Sequence, residues 1–259
     1  MELREWAYSI LTAETLEAKL TDPGEWTDHF PGPALIIHEP VRPPGMQFSR
    51  HYKEDKLPPF QQHADSDKRA ICLHRFAGHE LLAVEIMSFV LLAFPDAPST
   101  FRRGLAYTLK EEQGHVRLYM ARMKALGIQF GDLPLFRHFW KHIPHIQSPL
   151  HYISMMSLTF EMANLDFAPM YGQSFARHGD QESAALMATI LKDEISHVQF
   201  GWRWLQRLKP AHQTEWEAWE QALTNTLLTP KRSKGFVLHE LHRQQAGIPE
   251  EWIAKFKAL

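Results

Sequence analysis

Two Glu-x-x-His pairs, Glu112-x-x-His115 and Glu194-x-x-His197, lie 82 residues apart in this chain. With 20 Glu and 16 His among 259 residues, about one such pair is expected by chance, so the pairs alone constrain little. What precedes them constrains much more. Glu80 stands 32 residues before Glu112, and Glu161 stands 33 before Glu194. Each lies in an apolar segment of helix length, 70–94 and 150–175. The surrounding text repeats as well. Glu80-Leu-Leu-Ala-Val-Glu85 matches Glu161-Met-Ala-Asn-Leu-Asp166, and Lys110-Glu111-Glu112-Gln-Gly-His115-Val116 matches Lys192-Asp193-Glu194-Ile-Ser-His197-Val198. Residues i and i+3 share one helical face, so each Glu-x-x-His presents a carboxylate and an imidazole together.

The spacing predicts two helical hairpins, each giving one Glu and then one Glu-x-x-His, which is the ligand set of dimetal carboxylate bundles. In an antiparallel hairpin, residues at equal height are symmetric about the turn. The midpoint of Glu80 and Glu112 is Asp96, inside Pro95-Asp96-Ala97-Pro98, and that of Glu161 and Glu194 falls beside Gly179-Asp180. Glu85 is off that register and about 140° around the helix from Glu80. Glu80, Glu112, His115, Glu161, Glu194 and His197 are therefore the expected metal ligands. Glu85 and Asp166 are read as supporting or hairpin-contact groups, and His74 as a further residue to watch. The plain alternative is a set of surface ion pairs that happens to repeat.

The chain reads as all-α. Core helices are expected over about 66–93 (capped by Ser66 or Asp67), 99–127 (capped by Ser99 or Thr100), 149–177 (kinked at Pro169) and 181–208. A long crossover, 127–148, separates the two hairpins, and a fifth helix is expected over about 213–228. Pro31, Pro33, Pro40, Pro43, Pro44, Pro58 and Pro59 punctuate residues 21–66, which should run as an extended arm. The expected organisation is an N-terminal helix and Pro-rich arm (1–65), a four-helix core (66–208) and a C-terminal helix and tail (209–259).

The net charge of −2 gives no global attraction to nucleic acid or membrane. Local basic groups remain: Arg102–Arg103, Arg203, Arg207 and Lys209, and Lys231–Lys234. The single Cys72 excludes a disulfide framework and a Cys-rich metal site. No run of 18 uninterrupted apolar residues occurs, so no membrane span is expected, and the first residues lack a signal pattern. A cytoplasmic monomer or dimer is the expectation.

Several stretches resemble the ferritin-like domain-of-unknown-function family 455. They are Glu39-Pro-Val-Arg-Pro43, Leu73-His74 with Glu80–Glu85, Phe94-Pro-Asp96, Gly127-x-x-Phe-Gly-Asp132, Phe160–Asp166, Asp193-Glu-x-x-His197-Val, Gly235, and Arg243-x-x-Ala-Gly247. The resemblance covers most of the chain and implies a ferritin-like four-helix bundle with a dinuclear metal site, but no reaction. Through the paired hairpins the chain is more distantly similar to a tRNA hydroxylase that acts on a modified adenosine.

Four carboxylates and two neutral imidazoles balance two divalent ions and suit two Fe ions, with Mn or mixed Mn/Fe as variants. The leading expectation is an O2-dependent di-iron oxidase or hydroxylase acting on an organic substrate, supplied by an external electron donor. Ferroxidase or ferritin-like iron handling and tRNA hydroxylation are the alternatives. Phe160, Val84 and Leu165 are expected to line a substrate cavity closed by the arm or the crossover. Tyr119 reads as a core residue or an electron relay, and Glu111 and Asp193 as groups that could orient ligands. Trp202 and Trp204 read as packing residues, and His79, His138, His142, His145 and His151 as residues other than ligands.

Overall fold

Apolar residues spaced through 66–93 on every side of the helix axis call for a helix buried all round, and that helix is the centre of the first half of the chain. The structure, a computed structural model, describes residues 1–51 and 56–259. Among these there are ten α-helices and no strand. They are α1 (Leu3–Thr12), α2 (Leu16–Lys19), α3 (Ser66–Ala93), α4 (Ser99–Ala125), α5 (Pro149–Met155), α6 (Met162–Arg177), α7 (Gln181–Leu208), α8 (Glu215–Leu223), α9 (Glu240–Gln245) and α10 (Glu250–Ala258). The chain divides into two compact units, Met1–Ile143 and Pro144–Leu259, with the boundary inside the expected crossover.

In the first unit, α3 and α4 form the hairpin and α1 packs on α3. The cap of α3 is Asp65, whose carboxylate accepts from Asp67 N, one residue before the expected Ser66. Pro98 precedes α4 without a side-chain cap, so neither Ser99 nor Thr100 serves as one. The 28-residue α3 is long and apolar enough to cross a membrane by length and composition, but 89% of that window is buried inside the fold. Residues 21–51 hold no helix and hydrogen-bond to α3, α1 and the segment after α4; residues 52–55 lie outside the described residues. Leu35 N donates to Leu92 O (2.9 Å), Val41 N to Leu11 O (2.8 Å) and Ser49 N to Leu135 O (2.7 Å). Leu20 and Met46 join Leu81, Val116 and Leu135 in one apolar cluster.

In the second unit, α6 and α7 form the hairpin. Gly179 turns it with φ +81°, and Asp180 caps α7 by accepting from Ser183 N and Ser183 Oγ, both at 2.9 Å. The helix expected to run unbroken over 149–177 is interrupted by a π-helical stretch, Met156–Glu161. Two side chains take one backbone carbonyl there: Thr159 Oγ1 donates to Ser154 O at 2.7 Å and Trp219 Nε1, from α8, donates to the same carbonyl at 3.1 Å. Side-chain donors of this kind compete with the backbone ladder. Pro169, the expected kink, lies inside α6. The helix expected over 213–228 stops at Leu223. Thr226 Oγ1 turns back to Leu223 O at 2.7 Å, and Asn225 adopts φ +65°. Trp202, Trp216, Trp219, Trp252 and Phe256 pack ring against ring, which agrees with a packing role for Trp202.

Candidate metal centre

Helical periodicity places Glu112 and His115 on one face of α4, and the hairpin brings Glu80 of α3 to them. One donor atom from each of Glu80, Glu112 and His115 lies within 4.8 Å of the others. All three side chains are buried, at 6%, 1% and 2% exposure. A surface ion-pair set would be exposed, so burial removes that alternative. His115 Nδ1 lies 2.9 Å from Glu112 Oε2.

The second unit holds the corresponding three residues in an arrangement of its own. Glu161 ends the π-helical stretch, and Glu194 and His197 project from α7. All three are buried, and Glu161 and His197 offer donor atoms within 4.8 Å of each other. His197 Nδ1 stands 3.9 Å from Glu194 Oε2, while Glu194 Oε1 accepts from Asn164 Nδ2 at 2.9 Å. Asn164 is a site residue that sequence reasoning missed. Its signal was present, since Asn164 falls where the first hairpin has Ala83, three residues after the ligand Glu.

Glu85 and Asp166, five residues after those Glu, do not join the triads. Each is fully buried and anchors a segment of its own unit. Glu85 pairs with Arg42 Nη2 at 2.5 Å and Lys19 Nζ at 3.1 Å, which ties the arm and α2 to α3. Burial lowers the Lys19 pKa, and the Glu85 carboxylate opposes that shift. Asp166 accepts from both terminal nitrogens of Arg243, at 2.7 and 2.9 Å, and from Gly235 N and His239 N, at 2.8 and 2.7 Å. Arg42 and Arg243 both lie in stretches singled out in the sequence, but their acidic partners could not be read there.

The remaining expectations resolve individually. His74 Nε2 accepts from Gly131 N (3.0 Å) and Leu133 N (3.4 Å), so it braces a loop. Burial first, and then the Arg75 charge, push its pKa down to about 4. Tyr119 is buried with its ring 6.0 Å from Phe76, the geometry of a core residue. His79 stacks on His138 at 4.9 Å. Glu111 is exposed and Asp193 half-buried.

Arg102 is no surface cation. It is 1% exposed and forks onto Asp28 at 2.8 Å through Nε and Nη2. Lys209 Nζ donates to Gln213 O (2.6 Å) and Lys234 Nζ to Phe256 O (2.8 Å). A cleft of about 370 Å³ in the second unit is lined by polar groups, among them His145, His151, Gln213 and Gln221. A smaller one in the first unit lies between Arg75, Gly78, His79, Leu135 and Phe136. Phe160, Val84 and Leu165 are buried and line neither cleft.

Carboxylate and imidazole donors packed this closely suit divalent Fe or Mn. Burying several acids together without a cation is strongly unfavourable. The residues therefore fit a metal ion.

The model of a family described as "Protein of unknown function (DUF455)" matches residues 4–254. An uncharacterized protein from Haemophilus influenzae is 27% identical over 161 residues, which covers 58% of this chain and 55% of that relative. The chain thus matches about half the length of that relative. No solved structure matches.

Proposed function

Because this chain belongs to the DUF455 family, whose description carries no function, its activity has to be read from its own residues, and we propose a non-haem dinuclear metal enzyme. In this reading α3, α4, the α5–α6 helix and α7 are the four helices of a ferritin-like bundle. Glu80, Glu112 and His115 hold one Fe or Mn ion, and Glu161, Glu194 and His197 hold the other. The reaction is an O2-dependent oxidation or hydroxylation of an organic substrate, with electrons from an external donor. The observation that carries this reading is the buried convergence of Glu80, Glu112 and His115, matched in sequence by the second triad.

Two such ions, when bound, supply a two-electron reduction of O2. The chain's own residues do the rest. Four carboxylates neutralise the charge of two divalent ions, and His115 and His197 ligate only as neutral imidazoles. Asn164 orients the Glu194 carboxylate. Val84 and Leu165, wholly buried four residues after Glu80 and Glu161, keep water from the helix faces that carry the ligands.

Iron storage and tRNA hydroxylation are less well supported. Storage needs a hollow assembly of many subunits. Binding of tRNA needs a basic face, and Arg102, Lys209 and Lys234 are engaged inside their own units.

Metal analysis of the purified protein is the direct test. Up to two equivalents of Fe or Mn per chain are expected, with most of it lost in Glu194→Ala combined with His197→Ala. Stoichiometric zinc that is indifferent to those changes would sink the redox reading. Size-exclusion chromatography with iron loading separates the alternatives. A monomer or dimer that consumes O2 and forms no mineral supports the oxidase, whereas a large shell that mineralises iron ends it.

A further inference from the structure

Phe236 is 84% exposed, the most exposed large apolar side chain among the described residues. Val237 beside it and Leu241 on α9 are exposed as well. Single apolar side chains on a surface need no explanation, but a cluster of them does.

This cluster is held outward by the fold. The backbone N–H groups of Gly235 and His239 both donate to the carboxylate of Asp166, at 2.8 and 2.7 Å. The two ends of the loop therefore meet on one buried side chain, and the chain bends between them at Phe236 and Val237. Arg243 grips the same carboxylate and also donates to Ser233 O at 2.9 Å. Position 235 requires a glycine, because a Cβ there would come within 2.8 Å of Asp166 Cβ. At the tip, the Phe236 ring stands edge-on to Phe167 of α6, with centroids 6.0 Å apart.

Positive charge gathers beside the loop. The whole chain has a net charge of −2, yet residues 224–249 hold Lys231, Arg232, Lys234 and Arg243 against Glu240 alone. Arg243 is neutralised by Asp166, and Glu240 pairs with Lys257 at 2.7 Å. Lys231 and Arg232 are exposed and form no ion pair among the described residues.

An apolar tip flanked by free cations suits an anionic bilayer. Apolar side chains enter the boundary between headgroups and acyl chains, and neighbouring cations meet the anionic headgroups. A bilayer accepts a convex tip without a pocket shaped to receive it. A second copy of this chain, docked patch to patch, would set Lys231 and Arg232 against their own equivalents, which repel. We propose that the 235–239 loop, with Lys231 and Arg232, docks the protein on the surface of an anionic membrane, without spanning it. This docking does not depend on the metal-centre reading.

The test is co-sedimentation of the full-length protein with sucrose-loaded vesicles, made of phosphatidylcholine alone or of phosphatidylcholine with an equal part of phosphatidylglycerol. Binding is expected to the mixed vesicles only, and should weaken in high salt. Lys231→Ala combined with Arg232→Ala should weaken it about thirtyfold, and Phe236→Ser about tenfold. Arg103→Ala combined with Lys124→Ala, which removes two exposed cations of α4, should leave binding unchanged. Circular dichroism of each variant checks that the helices remain. The proposal is overturned if the wild type ignores the mixed vesicles, if phosphatidylcholine alone binds it equally well, or if the α4 variant loses as much as the Lys231 and Arg232 variant. Sedimentation equilibrium adds a further arm: a dimer that Phe236→Ser dissociates would assign the loop to a second copy and overturn the proposal too.

Discussion

The α3–α4 hairpin and the α6–α7 hairpin carry the same ligand text and surround it differently. Four residues before the first Glu and four after the His, the first hairpin has Phe76 and Tyr119, whose rings lie 6.0 Å apart. The second has Ser157 and Gly201, where a Cβ added to the glycine would come within 2.4 Å of Ser157 Cβ. The small pair lets α7 pack directly on the π-helical stretch that leads into Glu161, where an aromatic pair would hold the helices apart. Five residues after the ligand Glu, both hairpins bury an acid. Glu85 is met by two flexible cations, whereas Asp166 is met by a forked Arg243 and two backbone N–H groups. In the metal-centre reading proposed above, ligand chemistry would restrict those positions, whereas one turn away packing alone decides, so the two halves diverge there.

The largest expected difference is between the two arginine anchors. Arg243→Ala leaves Asp166 buried without its cation and should cost about 3–5 kcal/mol. Arg42→Ala leaves Lys19 beside Glu85 and should cost less, about 2 kcal/mol. Urea denaturation of both variants measures this, and equal losses would erase the distinction drawn between the anchors.

Acid should separate the hairpins next. His74 accepts two backbone N–H bonds as a neutral ring with its pKa pushed down to about 4, and its repeat counterpart is the apolar Met155. The folded state therefore binds fewer protons than the unfolded state between pH 4 and 6.5. The stabilisation is complete above pH 6.5 and is lost as pH falls towards 4, by roughly 3 kcal/mol in all. His74→Met should flatten the slope of stability against pH over that window. An unchanged slope would assign acid sensitivity to other groups.

Gly201→Ala should cost about 1–3 kcal/mol by overpacking against Ser157. Adding Ser157→Gly should recover part of that loss, so the double variant is non-additive in thermal melts. Strict additivity would mean that the two helices are not held by this contact. The smallest effect is expected at the exposed Lys110–Asp22 pair, 2.7 Å apart. Lys110→Ala should change stability by less than about 1 kcal/mol, despite its place in the repeated text beside Glu112.

Much of the molecule was legible in the chain itself. The bounds of α3 and the reach of α7 to Leu208 follow from apolar periodicity and from Pro and Gly punctuation, because helix length and termini are local properties. The burial of Glu80 was implied by its apolar context, whereas Glu112 and His115 lie in polar text whose burial only the hairpin reveals. Other features were hidden because their causes are distant in sequence. The π-helical stretch depends on Trp219 reaching Ser154 O from α8, 65 residues away. Arg102 looked like a surface cation until Asp28 was found beside it, 74 residues away.

By itself, then, the sequence determined two repeated hairpins and the identity of the six acids and imidazoles they carry. Those depend on helical periodicity and on donor chemistry, which the residues hold locally. Only the tertiary structure decided that Glu85 and Asp166 anchor terminal segments instead of joining the other buried acids and imidazoles, and that Asn164 reaches Glu194. Such pairings are made by side chains brought together in three dimensions, and a one-dimensional pattern has no term for which buried charge finds which partner.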